Sequence, residues 1–462
     1  MKKLNLILFI VLITGLTPSI SQSATKFVRA GATGSNSGTD WTNAYNALPT
    51  TFVRGDTYYV ADGIYGGYEF NTANSGTSVI TIKKATVADH GTETGWNSTY
   101  GDGQATFGNY IAFFTNYWVF DGVSGTDYLP GHGFVVDNSA TSGTTLILFG
   151  NPGGSGVTNI TVSHVDVIGR GYNQTIVNDR GFYFNSTGNS NFTISHNFVS
   201  GVGVPFLTRQ VNGMLVEYNQ IEGNHSQAAA HGEPWSDTAS DNVVFRYNRI
   251  KNPEGTAVFF NGNGSAGAAT PTNTATNWDV YGNIFYYQNY VVGVDHNPGV
   301  SAILWCPSNT YGGDTYCDNW MIYNNTFYNF SYGSSSARIL ARTGTNITIP
   351  LVQGNIWDSS SDSAYHDGIN ASYNYYRNTA HTTESNEQIG SSSPFVSTSD
   401  FHLNSPTLGV ATISPLPGRT VNPTDMDGVV RGSDGIWDRG AFEYSVLAPS
   451  NTLLPPANLK LQ

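Results

Sequence analysis

The stretch NFTISHNFVSG (Asn191–Gly201) decides the fold, because the same eleven-residue pattern returns five more times further along the chain. Each copy reads as a short strand, an asparagine at the seventh position and a second short strand. A repeat every 20 to 50 residues or so predicts a solenoid of stacked coils. The aligned asparagines, 22, 29, 35, 42 and 30 residues apart, are Asn197, Asn219, Asn248, Asn283, Asn325 and Asn355.

Strands without helical periodicity make this solenoid all-β, and we predict a right-handed parallel β-helix (β-solenoid) with an N-terminal cap. Asparagine tolerates left-handed backbone angles, so we expect each repeated asparagine to take them at the bend between its strands. We also expect the side-chain amides to stack as a hydrogen-bonded ladder. The related copy at Asn159–Gly169 has Val165 in place of the asparagine, which predicts a ladder that begins one coil later.

The chain begins with a pattern typical of a secretory signal peptide. Two lysines precede an apolar run from Leu4 to about Leu16, and small residues follow up to Ala24. We expect cleavage of residues 1–23 and a protein that is secreted, periplasmic or on the cell surface. No other apolar stretch is long enough to cross a bilayer, so no membrane span is predicted.

The mature chain is acidic, since loss of the two leader lysines takes the formal net charge from −13 to −15. Nucleic acid is not an expected partner, because no basic stripe is present to neutralise phosphates. An acidic surface also repels a polyanionic polymer unless local arginine, lysine or a bound cation offsets the charge. We expect a monomer whose partner is an extracellular polysaccharide.

The sequence divides into segments of different character. Near the N-terminus, Asp40 is predicted to cap a short helix from Trp41 to about Leu48. Residues 422–444 are predicted to form a closing turn and a final strand. The four parts are the signal peptide (1–23), the N-terminal cap and first coil (24–62), the parallel β-helix with its closing segment (63–445) and a disordered tail (446–462).

Three features are found together: the opening FVRAGATGSNSGTDWTNAYNAL (Phe27–Leu48), the asparagine-centred coils, and the close DMDGVVRGSDGIWDRGAFEY (Asp425–Tyr444). Together they resemble the extracellular bacterial right-handed β-helix proteins, which include many polysaccharide lyases, some glycoside hydrolases and epimerases. The resemblance covers nearly the whole mature chain and implies the fold. It implies less about the reaction, because one fold hosts many activities.

One segment, HGEPWSDTASDNVVFRYNRIKNPEGTAVFFNGNG (His231–Gly264), is similar in layout to the alginate lyase and chondroitinase B family. Gly232-Glu233 and Asn248 match that layout, and the resemblance implies that Glu233 is a calcium ligand. The lysine of that family has no counterpart in Ser236-Asp237-Thr238, and its Arg-His-Gly is replaced by Phe260-Asn261-Gly262.

Scarce charges concentrate just upstream of the repeated pattern. A polymer bound to a β-helix lies along one parallel sheet, so catalytic groups are expected at equivalent places in neighbouring coils. We therefore expect one groove to be lined by Asp179, Arg180, Arg209, His231, Glu233, Asp237 and Glu254.

Cleavage of a uronate-containing glycan by β-elimination needs a group that neutralises the carboxylate and a base that removes the C5 proton. Arg180 and Arg209 are candidates for the first role, which Glu233 and Asp237 can also fill by holding Ca²⁺. His231 is the best candidate base, because imidazole titrates near neutral pH. The leading prediction is a polysaccharide lyase.

Two alternatives stay open. Glycoside hydrolysis needs two carboxyl groups, which Glu233 together with Asp237, Asp179 or Glu254 can supply. A non-catalytic surface solenoid that binds glycan, or serves structurally, is the third possibility.

Further residues have a predicted role in binding or structure. Aromatic rings stack on the apolar faces of sugars, and the candidate substrate-binding residues are Trp235, Trp305, Tyr290 and His296. Cys306 and Cys317 are expected to form a disulfide in an oxidising compartment. His164 and His196 occupy the same place in two copies of the repeat, so we expect them side by side as structural residues.

Overall fold

The structure is a computed structural model. It describes residues 23–445 apart from 141–144, 172–178, 226–231, 256, 263–273, 290–301, 307–314, 331–337, 341–346, 349–350, 361–369, 380, 382, 410–412 and 414.

Short strands dominate the described chain, which also contains one 3-10 helical turn, Ser98–Tyr100. The first twelve strands are β1 (Thr25–Val28), β2 (Thr57–Val60), β3 (Gly63–Tyr65), β4 (Tyr68–Phe70), β5 (Ile80–Lys84), β6 (Ala105–Gly108), β7 (Ile111–Phe113), β8 (Trp118–Asp121), β9 (Phe134–Asp137), β10 (Thr145–Phe149), β11 (Thr158–Ser163) and β12 (Val165–Ile168). The next twelve are β13 (Arg180–Phe184), β14 (Ser190–Ser195), β15 (Phe198–Ser200), β16 (Val204–Leu207), β17 (Asn212–Glu217), β18 (Gln220–Glu222), β19 (Trp235–Asp237), β20 (Asp241–Arg246), β21 (Arg249–Lys251), β22 (Ala257–Asn261), β23 (Thr274–Tyr281) and β24 (Ile284–Tyr286). The last are β25 (Ala302–Trp305), β26 (Tyr316–Asp318), β27 (Met321–Tyr323), β28 (Thr326–Tyr328), β29 (Arg338–Leu340), β30 (Ile347–Thr348), β31 (Leu351–Gln353), β32 (Ile356–Asp358), β33 (Asn370–Ser372), β34 (Tyr375–Arg377) and β35 (Gln388–Ile389).

Along most of the chain, successive strands enter three parallel sheets in turn, in the order A, B, C. Sheet A runs from β1 to β33, sheet B from β3 to β35 and sheet C from β4 to β29. Neighbouring strands of a sheet come from successive coils and pair in parallel, as β14 does with β17 and β15 with β18. These three sheets confirm the predicted parallel β-helix.

Hydrophobic side chains fill the inside of the coils and stack from one coil to the next. The ring centroids of Phe149 and Phe184 lie 4.4 Å apart, and those of Trp278 and Trp320 lie 4.3 Å apart, in nearly parallel planes. Because each fully buried large apolar side chain contributes roughly 1.5–3 kcal/mol, these columns supply most of the stabilisation between coils.

The repeated asparagines form the predicted ladder at the corner between sheets A and B. The backbone N and the Nδ2 of Asn219 both donate to Oδ1 of Asn248, at 3.0 and 2.9 Å. Asn248 donates in the same way to Asn283, and its Nδ2 also donates to two backbone carbonyl oxygens. The buried amides are therefore fully hydrogen-bonded, as burial of polar groups requires.

The two ends of the ladder differ from its middle. At the start, the backbone N–H of Val165 donates to Oδ1 of Asn197, so the ladder does begin one coil after the Val165 copy. At the far end, Asn374 donates from its backbone and side chain to the carboxylate of Glu384. A carboxylate can close the ladder because it only needs to accept hydrogen bonds.

The left-handed backbone angle falls on the residue before each ladder asparagine, so that prediction was wrong. Tyr218 and Tyr247 both have φ 56°, whereas Asn219 and Asn248 are not among the residues with positive φ. The asparagine side chain has to point into the corner to join the ladder, and the preceding residue, which points outward, makes the bend. A non-glycine residue pays about 1–2 kcal/mol for this conformation.

The predicted helix over Trp41–Leu48 does not form. Asp40 accepts a hydrogen bond from the backbone N of Asn43 at 2.8 Å, within a turn. Tyr45 instead bonds to the edge of β1 through two backbone hydrogen bonds of 2.8 Å, which compete with helical ones. No described helix has the length and apolar character needed to cross a membrane.

The predicted final strand in residues 422–444 does not form either, apart from a single antiparallel bridge between Thr424 and Val430. This segment packs along the outside of the corner between sheets A and B. Tyr247 donates its hydroxyl to the Thr424 carbonyl at 2.9 Å, and Trp437 donates to the Asn324 side chain at 3.1 Å. The C-terminal residues therefore bind to the side of several coils. A closing strand would instead have paired with the last coil alone.

Candidate functional site

Sheet C has one face in the core and one face outward. Phe206 and Trp235 point into the core, so the residues next to them along β16 and β19 lie on the outer face. Because neighbouring strands are ~4.8 Å apart, a row across five strands is ~19 Å long. One outer row across β13, β16, β19, β22 and β25 consists of Tyr183, Leu207, Ser236, Phe260 and Trp305.

Two arginines meet at the start of this row. The guanidinium carbon of Arg180 lies 4.8 Å from the ring centroid of Tyr183, and that of Arg209 lies 5.9 Å from the same centroid. Both distances are within the range of cation–π attraction. Arg180 opens β13, and Arg209 follows β16 in the next coil, so parallel pairing brings together two cations that are 29 residues apart.

These two positive charges are not balanced by a described neighbour. No described acidic side chain forms an ion pair with Arg180 or Arg209, whereas Arg246 and Arg377 each pair with a carboxylate, at 2.6 and 2.7 Å. Two like charges beside one ring repel each other unless an anion offsets them. In a protein of strongly negative net charge, this place is suited to an anionic ligand.

Tyr183 was not foreseen from the sequence. Its hydroxyl donates a hydrogen bond to Oδ1 of Asn185, and both guanidinium groups lie near its ring. The available signal was strand alternation in Phe182-Tyr183-Phe184, where the two phenylalanines face the core. Only the middle ring carries a polar group, as expected of an outward position.

The predicted acidic residues are not on the surface of a groove. Asp179, Glu233 and Glu254 are all essentially inaccessible to solvent. The backbone carbonyl of Asp179 accepts hydrogen bonds from Gly203 and Val204 in the next coil, so the residue belongs to the coil-to-coil packing. The expectation that these three carboxylates line an exposed groove with the arginines was wrong.

Asp237 is held by hydrogen bonds inside the coil. Its Oδ1 accepts from the hydroxyls of Thr208 and Ser240, both at 2.5 Å, and its Oδ2 accepts from the backbone N of Ser240 at 2.9 Å. Burial raises the pKa of Asp237 to about 6, although these hydrogen bonds oppose the shift. The group is thus a buried structural carboxyl.

Glu233 and Asp237 are the two predicted calcium ligands. Glu233 lies two residues before β19, and Asp237 ends that strand. Among the described residues there is no group of three or more His, Cys, Asp or Glu that could hold a metal. The calcium site stays a prediction from the resemblance.

The predicted substrate-binding residues have different positions. Trp235 faces the core and stacks on Phe206, with ring centroids 4.8 Å apart, so its predicted contact with sugar was wrong. Trp305 is outward, partly exposed and 5.1 Å from the Phe260 ring. His231, Tyr290 and His296 lie outside the described residues, and their roles stay predictions. Cys306 and Cys317 form a disulfide next to Trp305.

The corner between sheets A and B holds a second group of titratable residues. The rings of His164 and His196 stack with centroids 4.9 Å apart, so the two lie side by side as expected. Nδ1 of His164 lies 2.8 Å from Oδ1 of Asp121, and Nδ1 of His196 lies 2.7 Å from Oδ1 of Asp127. The first pair joins the corner to the end of β8, and the second attaches the loop after β8 to the coils, so both have a structural role.

No protein-family model matches the chain, and no curated protein matches it in sequence. Similar solved structures include the PL6 family alginate lyase AlyGC, at 13% identity and TM-score 0.39, covering 79% of this chain and 53% of that one. Pectate lyase Pel9A is similar at 14% identity and TM-score 0.41, covering 92% and 98%. An alginate lyase from Paenibacillus sp. str. FPU-7 has 11% identity and TM-score 0.28, covering 79% and 98%.

This chain spans about half the length of AlyGC. At these identities and scores the likeness concerns the fold and carries no argument about the reaction. The protein is a three-sheet parallel β-helix.

Proposed function

We propose that this protein is a polysaccharide lyase that cleaves a uronate-containing glycan by β-elimination on the outer face of sheet C. The observation that supports the proposal most directly is the pair of arginines on Tyr183, which no described carboxylate neutralises. A uronate carboxylate is the kind of anion that such a pair binds, because guanidinium matches carboxylate in charge and geometry.

The proposed reaction needs three changes at the sugar. Arg180 and Arg209 bind the C5 carboxylate and stabilise the negative charge that develops on it as the C5–H bond breaks. The electron pair of that bond forms the C4–C5 double bond, and the C4–O bond to the next sugar breaks. The Tyr183 phenol gives a proton to the departing oxygen and receives the C5 proton, so it ends in its starting state.

His231 is the other candidate for the base, on the grounds of its imidazole. It lies outside the described residues, so a direct comparison of His231→Ala with Tyr183→Phe decides between the two. No step of the proposed reaction uses calcium.

The location on sheet C has further support. The loop after β8 and the C-terminal segment both pack on the corner between sheets A and B, through Tyr128 and Thr424, which each contact Tyr247. The row from Tyr183 to Trp305 belongs to a different sheet and is long enough for several sugar units. Hydrolysis is less well supported, because Asp179, Glu233 and Glu254 are buried and do not offer two exposed carboxyl groups.

The proposal is tested by incubating the protein with a panel of uronate polymers and with the same polymers after reduction of their carboxyl groups. We expect products with the ultraviolet absorbance of a C4–C5 double bond, and only from the carboxylated forms. New reducing ends without that absorbance would show hydrolysis and contradict the proposal. Binding without any new chain ends would identify a non-catalytic solenoid and contradict it as well.

A further inference from the structure

Lys84 has its side chain almost completely removed from water. It ends β5, in register with Val60 of the preceding coil, and its side chain is 1% exposed. Burial lowers the pKa of the Lys84 amine, because the ammonium form loses its hydration. The neutral amine, which is the nucleophilic form of lysine, is therefore favoured more here than on the surface.

Asp62 is the acidic partner of this lysine. Nζ of Lys84 lies 2.5 Å from Oδ1 of Asp62 and donates to the carbonyl oxygen of Ala85 at 2.5 Å. The contact with Asp62 lacks the alignment of a hydrogen bond, and Oδ1 accepts no hydrogen bond from any described residue. The Ala85 carbonyl fixes the nitrogen, and the nitrogen lies against the carboxyl group.

The other oxygen of Asp62 has a donor of its own. The backbone N–H of Gly103 donates to Oδ2 at 2.6 Å. A Cβ at this glycine would lie 3.1 Å from Oδ2, so glycine is what allows the backbone to come this close. A fixed N–H in this place stabilises negative charge on the oxygen when the carboxyl carbon becomes tetrahedral. The neighbouring Asp102 carboxylate acts on the Lys84 ammonium through its charge.

From this arrangement we propose that Lys84 and Asp62 join in an amide bond, a covalent cross-link between the first two coils. The Lys84 ammonium passes one proton to Oδ1 of Asp62, which lies 2.5 Å away, and leaves a neutral amine beside a neutral carboxyl group. The amine attacks Cγ, so that the nitrogen becomes positive and Oδ2 carries the negative charge beside the N–H of Gly103. The Cγ–Oδ1 bond then breaks, and Oδ1 leaves as water with the proton it holds and one proton from the nitrogen.

The reaction balances without any other reagent. One ammonium and one carboxylate become one secondary amide and one water, so charge and atoms are conserved and nothing is oxidised or reduced. The cross-link joins the residues just after β2 to the end of β5, near the N-terminal end of the solenoid. It prevents the first coil from separating from the second.

The test is the intact mass of the full secreted protein after reduction of its disulfide. We expect a mass lower by one water molecule than the sequence of the same chain requires. Trypsin should release Gly55–Lys83 and Lys84–Arg170 as one joined peptide that also lacks one water. Full sequence mass and two separate peptides from the folded protein would overturn the proposal.

Variants locate the bond. Lys84→Met and Asp62→Ala should each restore the full mass. Lys83→Met is the matched control, because Lys83 also lies 2.5 Å from an aspartate, Asp89, but in an exposed pair with side chains 26% and 43% accessible. That variant should keep the mass deficit. If Lys84→Met keeps it as well, the lost water comes from elsewhere and the assignment is wrong.

Discussion

The guanidinium of Arg180 lies against the ring of Tyr183, 4.8 Å from its centroid, and neither residue has a described ionic partner. Two residues separate them in the sequence, and the next coil adds Arg209 to the same ring. The parallel solenoid thus assembles a positively charged place on the outside of an acidic protein.

Loss of either arginine should weaken catalysis on a uronate polymer. A hydrogen bond to a charged group contributes roughly 1.5–3 kcal/mol, so Arg180→Gln and Arg209→Gln should each lower kcat/KM by about 10- to 100-fold. The measurement is the initial rate of unsaturated product against polymer concentration. Arg377→Gln is the control, since Arg377 is paired with Asp358 on sheet B and should leave the rate unchanged. Equal rates in all three variants would mean that the carboxylate binds elsewhere.

The asparagine ladder should contribute measurably to the stability of the middle coils. Asn248→Ala removes an acceptor that takes two hydrogen bonds from Asn219 and leaves buried polar groups unpaired. Each such group costs about 1–3 kcal/mol, so we expect a loss of about 3 kcal/mol or more in the free energy of unfolding.

The control for the ladder is Asn212→Ala, which removes one exposed hydrogen bond from Asn242 and should change stability by less than about 1 kcal/mol. Both variants are compared by urea denaturation followed by circular dichroism. A similar small loss in the two would show that the ladder adds little beyond the stacked apolar side chains.

Asp237 should make stability depend on pH. Burial raises its pKa to about 6 in the folded protein, from 3.8, so the unfolded chain releases this proton at lower pH than the folded one. Stability contributed by the protonated group is therefore present at acidic pH and is lost as pH rises through about 4 to 6. The largest possible effect is about 3 kcal/mol.

Asp237→Asn should remove this dependence while keeping an acceptor for Thr208. The measurement is the free energy of unfolding of wild type and variant at about pH 3 and about pH 7.5, on either side of the two pKa values. The wild type should lose more stability between them. Asp434 is exposed, so Asp434→Asn should lose as much stability between the two pH values as the wild type. An equal loss in Asp237→Asn and in the wild type would contradict the raised pKa of Asp237.

The solenoid was predictable because the asparagine-centred pattern recurs along the sequence. An asparagine at every seventh position of the repeat has to face the corner, and even the late start of the ladder at Asn197 follows from one substitution, Val165. The left-handed angle was misplaced by one residue, because the propensity of asparagine for that angle is weaker than its side-chain bonds to the ladder. Tyr218 and Tyr247 take the strained conformation instead.

The site was predictable only in part. The two arginines could be placed in neighbouring coils by counting from the repeat. Whether a carboxylate upstream of a strand faces outward or inward depends on the backbone bend before that strand. The spacing of the repeat does not predict this bend, and Glu233 proves to be buried. The helix expected at Trp41 failed for a similar reason: backbone bonds between Tyr45 and β1 outweigh a local capping signal.

The measurement that tests the central claim most directly is the rate of unsaturated product from a uronate polymer by Tyr183→Phe. The variant keeps the ring that Arg180 and Arg209 contact and loses only the hydroxyl. We therefore expect an unchanged KM and a fall in kcat of about 10²- to 10⁴-fold, the usual contribution of a proton-transfer group. An undiminished kcat in Tyr183→Phe would contradict the role of Tyr183 as the proton-transfer group of this site.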